Sequence, residues 1–361
     1  MTSSIEMSAP SHHFACILAG GSGERFWPMS RASTPKHLLK LLSERTLLEE
    51  TARRLEGVVP SENIFVLTNQ DQLEGIRAAL PGIPPGQIVA EPARRDTAPA
   101  AALATALVRA RDPRGVLAIL AADAFILNRQ RFAVQLRAAF EWAERNPSLL
   151  TFAVTPSHAS TSFGYLELGD ALGTAGPGGQ FRSVRKFVEK PDAITAQGYL
   201  RNENFAWNAG MFVWQAATFL REAETNAPEL AAFIREFPGD RPAAYLAARF
   251  PALPKISVDY AIMEKAASVA TLVADFDWDD VGLWTALPKH LDTDAAGNSA
   301  RGSVFTTGSS GNIAVSNGRV IALCGVKDLV VVETADAILV CHRDAVQDIK
   351  KLHPLLPKGV L

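Results

Sequence analysis

The chain has 361 residues, 48% of them hydrophobic, which suits two domains or one large domain with an appendage and is enough for a sizeable core, so disorder is not the default reading. Its 36 basic and 38 acidic residues leave a formal net charge of −2 and no electrostatic footprint for nucleic acid. Any phosphate-bearing ligand must then be held by a few placed groups rather than by a global field.

The first twelve residues (MTSSIEMSAPSH) are small and polar, without the basic start and apolar core of a signal peptide. They are expected to form a frayed tail, residues 1–12, on a soluble, cytoplasmic protein. No run approaches the roughly 18 apolar residues of a membrane span. Cys16, Cys324 and Cys341 lie in apolar runs without metal-ligand spacing and read as small buried thiols of a reducing compartment.

Strands and helices then alternate. His13 to Ala19 (HFACILA) is a short apolar run ending in glycines, as in a buried parallel strand. Leu47 to Leu55 has helical spacing, and Asn63 to Thr68 (NIFVLT) is a second strand. Thr97 to Arg111 is Ala/Leu-rich with Pro99 in its first turn, the pattern of a helix start. Gly115 to Ala121 is a third strand, Phe132 to Arg145 a helix, and Leu149 to Val154 a fourth strand. This succession predicts an α/β fold, a Rossmann-like, mostly parallel sheet with helices on both faces. In such sheets ligands bind beyond the carboxyl ends of the strands, which would bring the glycine loop after the first strand and Asp123 after the third to one edge. Gly173 to Gly179 reads as a turn. From about Gly297 the texture becomes short β-rich pieces separated by glycine and asparagine, then a terminal helix over 344–352. The expected division is a catalytic domain over 13–290 and an all-β C-terminal domain over 291–361.

The loop Leu18 to Leu39 (LAGGSGERFWPMSRASTPKHLL) carries three glycines in four positions. Without side chains, their backbone amides approach an anion closely, and Arg25 and Lys36 add positive charge. A triphosphate needs that combination. The loop lacks the lysine and serine or threonine of a Walker loop, and Phe26 stands where a dinucleotide fingerprint needs its last glycine. A ligand-free glycine turn is the plain alternative.

LAGGSGERFWPMSR followed by PK resembles the signature of the sugar nucleotidyltransferases, and its RFWP-M-SR form is similar to the mannose-1-phosphate guanylyltransferase branch. EPARRDTAP (91–99), Ala122-Asp123, FVEKP (187–191), WNAGMF (207–212), KISVDYAIMEK (255–265) and WDDVGLW (278–284) follow in the family's order. Residues 325–340 are similar to the family's C-terminal left-handed β-helix-like domain. The resemblance implies that Ala19, Gly20, Gly21, Ser22, Gly23, Glu91, Asp96 and Thr97 face the nucleotide. It implies that Gly164, Glu189, Lys190 and Asn208 face the sugar phosphate, and that Asp123 and Asp280 bind Mg²⁺. Hard oxygen ligands of this kind suit Mg²⁺. Taken alone, Asp123 reads first as a helix N-cap, Glu189-Lys190 as a surface ion pair and Asp259 as a pocket residue or a cap. Asp279 reads as a solvated neighbour, and the tryptophans as core. Asp96 stands where many relatives carry asparagine, His37 where glutamine is common, Ala124 where a histidine often follows and Leu283 where serine is frequent. These departures permit an altered hexose preference.

The implied reaction joins mannose 1-phosphate to GMP from GTP, giving GDP-mannose and pyrophosphate, with Arg25, Lys36, Asp123, Lys190 and Asp280 as the catalytic groups. The sugar phosphate is the nucleophile, so no Ser-His or Cys-His constellation is needed. The alternatives are another hexose or heptose 1-phosphate, another NTP, or a non-catalytic nucleotide-sugar-binding subunit. A homodimer is the expected assembly.

Overall fold

The computed structural model describes residues 12–239 and 242–361. The expected tail therefore lies outside the described residues except at His12, whose ring pairs with Asp112. Strand β1 (His13–Leu18) is flanked by its parallel neighbours β2 (Ile64–Asn69) and β4 (Val116–Ala121), and β3 (Ile88–Glu91) lies outside β2. Being covered on both faces, β1 sends Phe14 and Cys16 into one core and Ala15 and Ile17 into the other. The helices α1 (Leu47–Arg54), α2 (Leu73–Ala79) and α3 (Thr97–Arg111) connect these strands. α1 opens on a capping box in which Thr46 and Glu49 satisfy each other's amides.

After β4 come the short strand β5 (Phe125–Ile126), helix α4 (Arg129–Arg145) and β6 (Leu149–Val154). The hairpin strands β7 (Tyr165–Thr174) and β8 (Gln180–Val188) follow, closed through residues 175–179 by Ala175 N–H donating to the Gly179 carbonyl, as the Gly-rich turn requires. Helix α5 (Ala193–Leu200) leads into the long strand β9 (Phe205–Gln215), and α6 (Ala216–Asn226), α7 (Pro228–Arg235) and α8 (Pro242–Arg249) into β10 (Val269–Val273) and β11 (Trp278–Asp279). Among the described residues nine strands form one sheet in the order β3-β2-β1-β4-β9-β6-β10-β8-β7. The half with the glycine loop is parallel. β9 inserts antiparallel between β4 and β6, and β8 and β7 continue antiparallel to the far edge. Insertion of β9 carries Asn208 to the same ligand edge as the loop after β1.

Beyond the sheet, β12 (Ser299–Arg301), β13 (Val304–Thr307), β14 (Ile313–Val315), β15 (Ile321–Cys324), β16 (Leu329–Glu333) and β17 (Ile338–His342) wind as a coil. β12, β14 and β16 stack in parallel on one wall, and β13 and β15 on another. Asn312 donates from Nδ2 to Asn298 Oδ1 at 2.8 Å, and Asn298 to the Ser309 carbonyl at 3.0 Å, fixing successive turns of the coil. Period-two alternation buries Ile321 and Leu323 and turns Cys324 outward, so of the three thiols only Cys16 is fully buried. Cys341 is half-buried. The terminal segment is a 3-10 stretch (Arg343–Asp348) running into the short helix α9 (Ile349–Leu352). This C-terminal body is not a detached bead. Ile313, Val330, Val346 and Ile349 share one apolar cluster with Phe26, Trp27, Val281 and Trp284.

Candidate active site

The glycine loop leaves β1 at its carboxyl end. Ala19 is built into the sheet edge, its N–H donating to the Leu67 carbonyl at 2.7 Å and its carbonyl accepting the Thr68 hydroxyl at 3.0 Å. Both of its backbone groups are committed to the sheet edge, which anchors the loop. Gly20, Gly21 and Ser22 line a cavity of about 570 Å³. At Gly23 φ is +66°, and a Cβ there would lie 2.4 Å from Lys36 Cβ and 2.8 Å from its amide nitrogen. Glycine is thus what lets Lys36 tuck beneath the loop.

Lys36, buried with its ammonium 5.5 Å from the Phe26 ring centroid, donates from Nζ to Asp123 Oδ2 at 2.9 Å and to the Asp280 carbonyl at 2.7 Å. Antiparallel pairing of β5 with β11 sets Phe125 opposite Asp279 and so draws the two aspartates together. Asp123 does not cap a helix: α4 is capped by Asn128, which accepts from Arg131 N–H at 3.0 Å. Buried Arg54 donates to the Ala124 carbonyl at 2.9 Å, holding the turn that carries Asp123. Burial lowers that guanidinium to about 10. Asp279, read as solvated, is instead largely enclosed; it accepts from Val281 N–H at 2.8 Å and bonds the His290 ring at 3.1 Å. Val281 adopts φ +45° in full burial, an unfavourable backbone for a β-branched residue, immediately after Asp280.

Burial raises the Asp123 carboxyl, but the charge and hydrogen bond of Lys36 overcome it and hold the group below the ordinary carboxylate range. Asp280 goes the other way: burial and the negative Asp123 and Asp279 push it up against the pull of Lys36. Asp123 and Asp280 line one cavity of about 300 Å³ beneath the loop, together with Ser22, Gly23, Arg25 and Lys36. Two mutually repelling carboxylates there fit a hard divalent cation, which takes oxygen ligands and completes its shell with water and phosphate oxygens.

Asp280 also borders the larger cavity, whose far wall carries Gly164, Glu189, Asn208 and Asp259. A Cβ on Gly164 would sit 2.5 Å from Glu189 Oε2, so glycine leaves that carboxylate its room. Asn208 is tied into the scaffold: Oδ1 accepts from the Thr151 hydroxyl at 2.7 Å and from Gly210 N–H at 3.2 Å, while Nδ2 donates to Asp259 Oδ1 at 3.2 Å. Asp259 begins a π-turn capped by Val258, not by its own side chain, and faces the cavity. Burial, with the nearby Glu189 charge, pushes it up to about 7. Lys190 lies outside the cavity wall. Its side chain is 59% exposed, and its ammonium donates to Glu189 Oε1 at 2.6 Å, on a backbone of φ +46°. Glu189 itself is only 8% exposed, so the pair is not an ordinary surface bridge. Trp278 lines the cavity as well, which its reading as core did not anticipate.

On the opposite wall stand Glu91, Arg94, Asp96 and Thr97. Burial lifts the Glu91 carboxyl to about 8, and its buried Oε1 has no hydrogen-bond partner. Asp96 caps α3, accepting from Thr97 N–H at 2.7 Å with φ +67°. The Thr97 hydroxyl accepts from Val258 N–H at 2.9 Å, which stitches this wall to the Asp259 turn. His37, beside Lys36, is buried; burial, with the Lys36 charge, lowers its ring to about 4 and keeps it neutral. No signal in the local sequence marked Arg54, because it owes its place to a partner distant in the chain; of the two readings open for Asp259, the structure favours the pocket over the cap. Among the described residues no helix is long and apolar enough to cross a membrane.

A glycine loop at the carboxyl edge of a parallel sheet, a buried lysine joining two aspartates and an adjoining cavity that carries Glu91, Glu189, Asn208 and Asp259 fit the class of nucleotide-dependent phosphoryl-transfer sites, and comparison with known proteins narrows the class. Residues 14–296 match the family described as Nucleotidyl transferase, and residues 302–354 match the MannoseP isomerase/GMP-like beta-helix domain. A mannose-1-phosphate guanylyltransferase of Escherichia coli (strain K12) is 34% identical over 95% of this chain and 73% of its own. Mannose-1-phosphate guanylyltransferase ManC of Salmonella typhimurium is 36% identical over 94% and 72%. A crystal structure described as a mannose-1-phosphate geranyltransferase from Thermus thermophilus superposes with a TM-score of 0.86 at 30% identity, covering 96% of this chain and 99% of that one. The chain belongs to the nucleotidyl transferase family, in its mannose-1-phosphate guanylyltransferase branch.

Proposed function

We propose that the chain forms GDP-mannose and pyrophosphate from GTP and mannose 1-phosphate. The observation that carries this reading is Lys36 bonded at once to Asp123 and to the Asp280 backbone, where the cavity beneath the glycine loop meets the cavity of Glu189, Asn208 and Asp259. A triphosphate and a phosphorylated sugar then meet at Asp280.

An oxygen of the sugar's phosphate attacks the α-phosphorus of GTP. A new P–O bond forms, the bond to the β-phosphate's bridging oxygen breaks, and pyrophosphate leaves with both electrons. The attacking phosphate is already ionised near neutral pH, so no protein base is required. Amides of Gly20, Gly21 and Ser22 cradle the triphosphate, and Arg25 and Lys36 offset the charge that grows on the leaving group. Asp123 and Asp280 would hold Mg²⁺, which supplies charge neutralisation at the phosphates. Glu91 lines this wall of the cavity and keeps its proton up to about pH 8, which supports a place for the nucleotide's base beside it. Asp96 and Thr97 then act by fixing the start of α3 beside the base. Glu189, Asp259 and Asn208 address sugar hydroxyls, Gly164 makes room for them, and Lys190 exchanges Glu189 for the sugar phosphate. Phe305, Val320, Ile338 and Val340 remain exposed on the coil, which supports pairing of two copies.

The test is a panel of the four common NTPs and dTTP against mannose, glucose, galactose and heptose 1-phosphates with pyrophosphate detection. GTP with mannose 1-phosphate should give the highest kcat/KM. Preference for another pair would replace the substrate assignment, and no turnover with any pair would remove the reaction.

A further inference from the structure

The cavity beneath the glycine loop has one wall that does not come from the nucleotidyl transferase region. Lys350, on α9, lines it together with Ser22, Gly23, Arg25, Lys36 and Asp123. Packing puts it there. Val346 and Ile349 are 4% and 3% exposed in the cluster that also holds Phe26 and Trp27 of the loop, so the backbone beside Lys350 is fixed against the loop. Two polar clamps reinforce the contact: Trp27 donates from Nε1 to the Val360 carbonyl at 2.7 Å, and Arg31 pairs with Asp336 at 2.8 Å. The neighbouring Lys351 is bonded to Asp348 at 2.6 Å, whereas Lys350 forms no ion pair among the described residues.

We propose that Lys350 is a third cation of the phosphate site, supplied by the C-terminal body, which holds the β- and γ-phosphates of the incoming nucleotide and then the departing pyrophosphate. The assignment rests on the reaction proposed above. Lys36 commits hydrogen bonds to Asp123 and Asp280, leaving it fewer to offer the leaving group. Lys350 is exposed and uncommitted, and an ammonium brings three donors and a full charge to phosphate oxygens. The residues of the sugar side, Gly164, Glu189, Asn208 and Asp259, line the other cavity and not this one. Lys350 therefore distinguishes the pyrophosphate end of the reaction from the sugar end, and the C-terminal body contributes to binding as well as to packing.

The experiment is steady-state kinetics of the full chain, wild type, K350M and K350R, in both directions: GTP with mannose 1-phosphate, and GDP-mannose with pyrophosphate. K350M should raise KM for GTP and for pyrophosphate by about tenfold, the loss expected for one charge-assisted phosphate contact. KM for mannose 1-phosphate should not move, the melting temperature should hold because the side chain is exposed, and K350R should restore most of the affinity. Unchanged KM values for GTP and pyrophosphate in K350M would overturn the proposal, as would an equal rise for mannose 1-phosphate. Should the wild type make no nucleotide sugar, the reaction itself fails; calorimetric titration of pyrophosphate into wild type and K350M then decides Lys350 separately, equal affinities overturning it.

Discussion

Lys36 and Asp123 are 87 positions apart in the chain and 2.9 Å apart in the fold, with the lysine's other bond reaching the carbonyl of Asp280. One ammonium thus fixes the distance between the glycine loop and both acidic turns. K36M would leave two like-charged carboxylates facing each other, and D123N would remove one oxygen ligand while keeping the shape. Each should lower kcat by roughly 10²–10³-fold, the scale of a lost preorganised electrostatic contact. Chelation by EDTA should stop the wild type, and Mg²⁺ should restart it. D123N turning over at the wild-type rate would remove the metal assignment.

Gly23 is the second support of this arrangement. G23A places a methyl group 2.4 Å from Lys36 Cβ on a backbone of φ +66°. The lysine or the loop must shift, at a cost of about 1–3 kcal/mol. Denaturant titration should show that loss together with a drop in kcat. A variant as stable as wild type would mean that the loop accommodates the methyl.

Glu91 links site and stability to pH. Below about 4.5 the group is protonated both folded and unfolded, so it contributes no pH dependence. Between there and its raised value of about 8, the unfolded chain loses the proton while the folded chain keeps it, and stability falls as pH rises. E91Q removes that loss. Its melting temperature should exceed wild type by more at pH 8.5 than at pH 5, measured by calorimetry across the range. An equal difference at both values would place Glu91 in an ordinary solvated environment.

Asp259 sits at about 7 in the folded protein. As pH rises through that value it becomes an acceptor at both oxygens, the form suited to sugar hydroxyls. KM for mannose 1-phosphate should therefore fall between pH 6 and 8, and D259N should flatten this step while raising KM several-fold, about the effect of one lost hydrogen bond to a charged group. A pH profile identical in D259N and wild type would assign the residue to the scaffold alone.

Much of the fold was legible. β6 and α3 have the bounds that the apolar runs and the early Pro99 indicate, because local periodicity and turn chemistry set them. Gly20 to Ser22, Glu91, Gly164, Glu189 and Asn208 gather on one cavity, while Asp123, Lys36 and Arg25 gather on the next. Less legible was the division of labour. Ala19 proves to be a sheet anchor, Asp279 a buried partner of His290, and Lys190 a rim residue held by Glu189. A side chain's type shows what it is able to bind, but not which neighbour reaches it first.

The sequence alone determined β1, α1, β2, α3, β4, α4 and β6, the glycine loop and the kinds of charge the chemistry needs, since these depend on residues within a few positions of one another. Only the tertiary structure decided that β9 enters the sheet antiparallel, that Asn208 meets Asp259, and that Lys350 reaches the loop from the opposite end of the chain. Such meetings follow from how whole faces pack, and the energy that selects them is spread over many buried side chains rather than written in any one stretch.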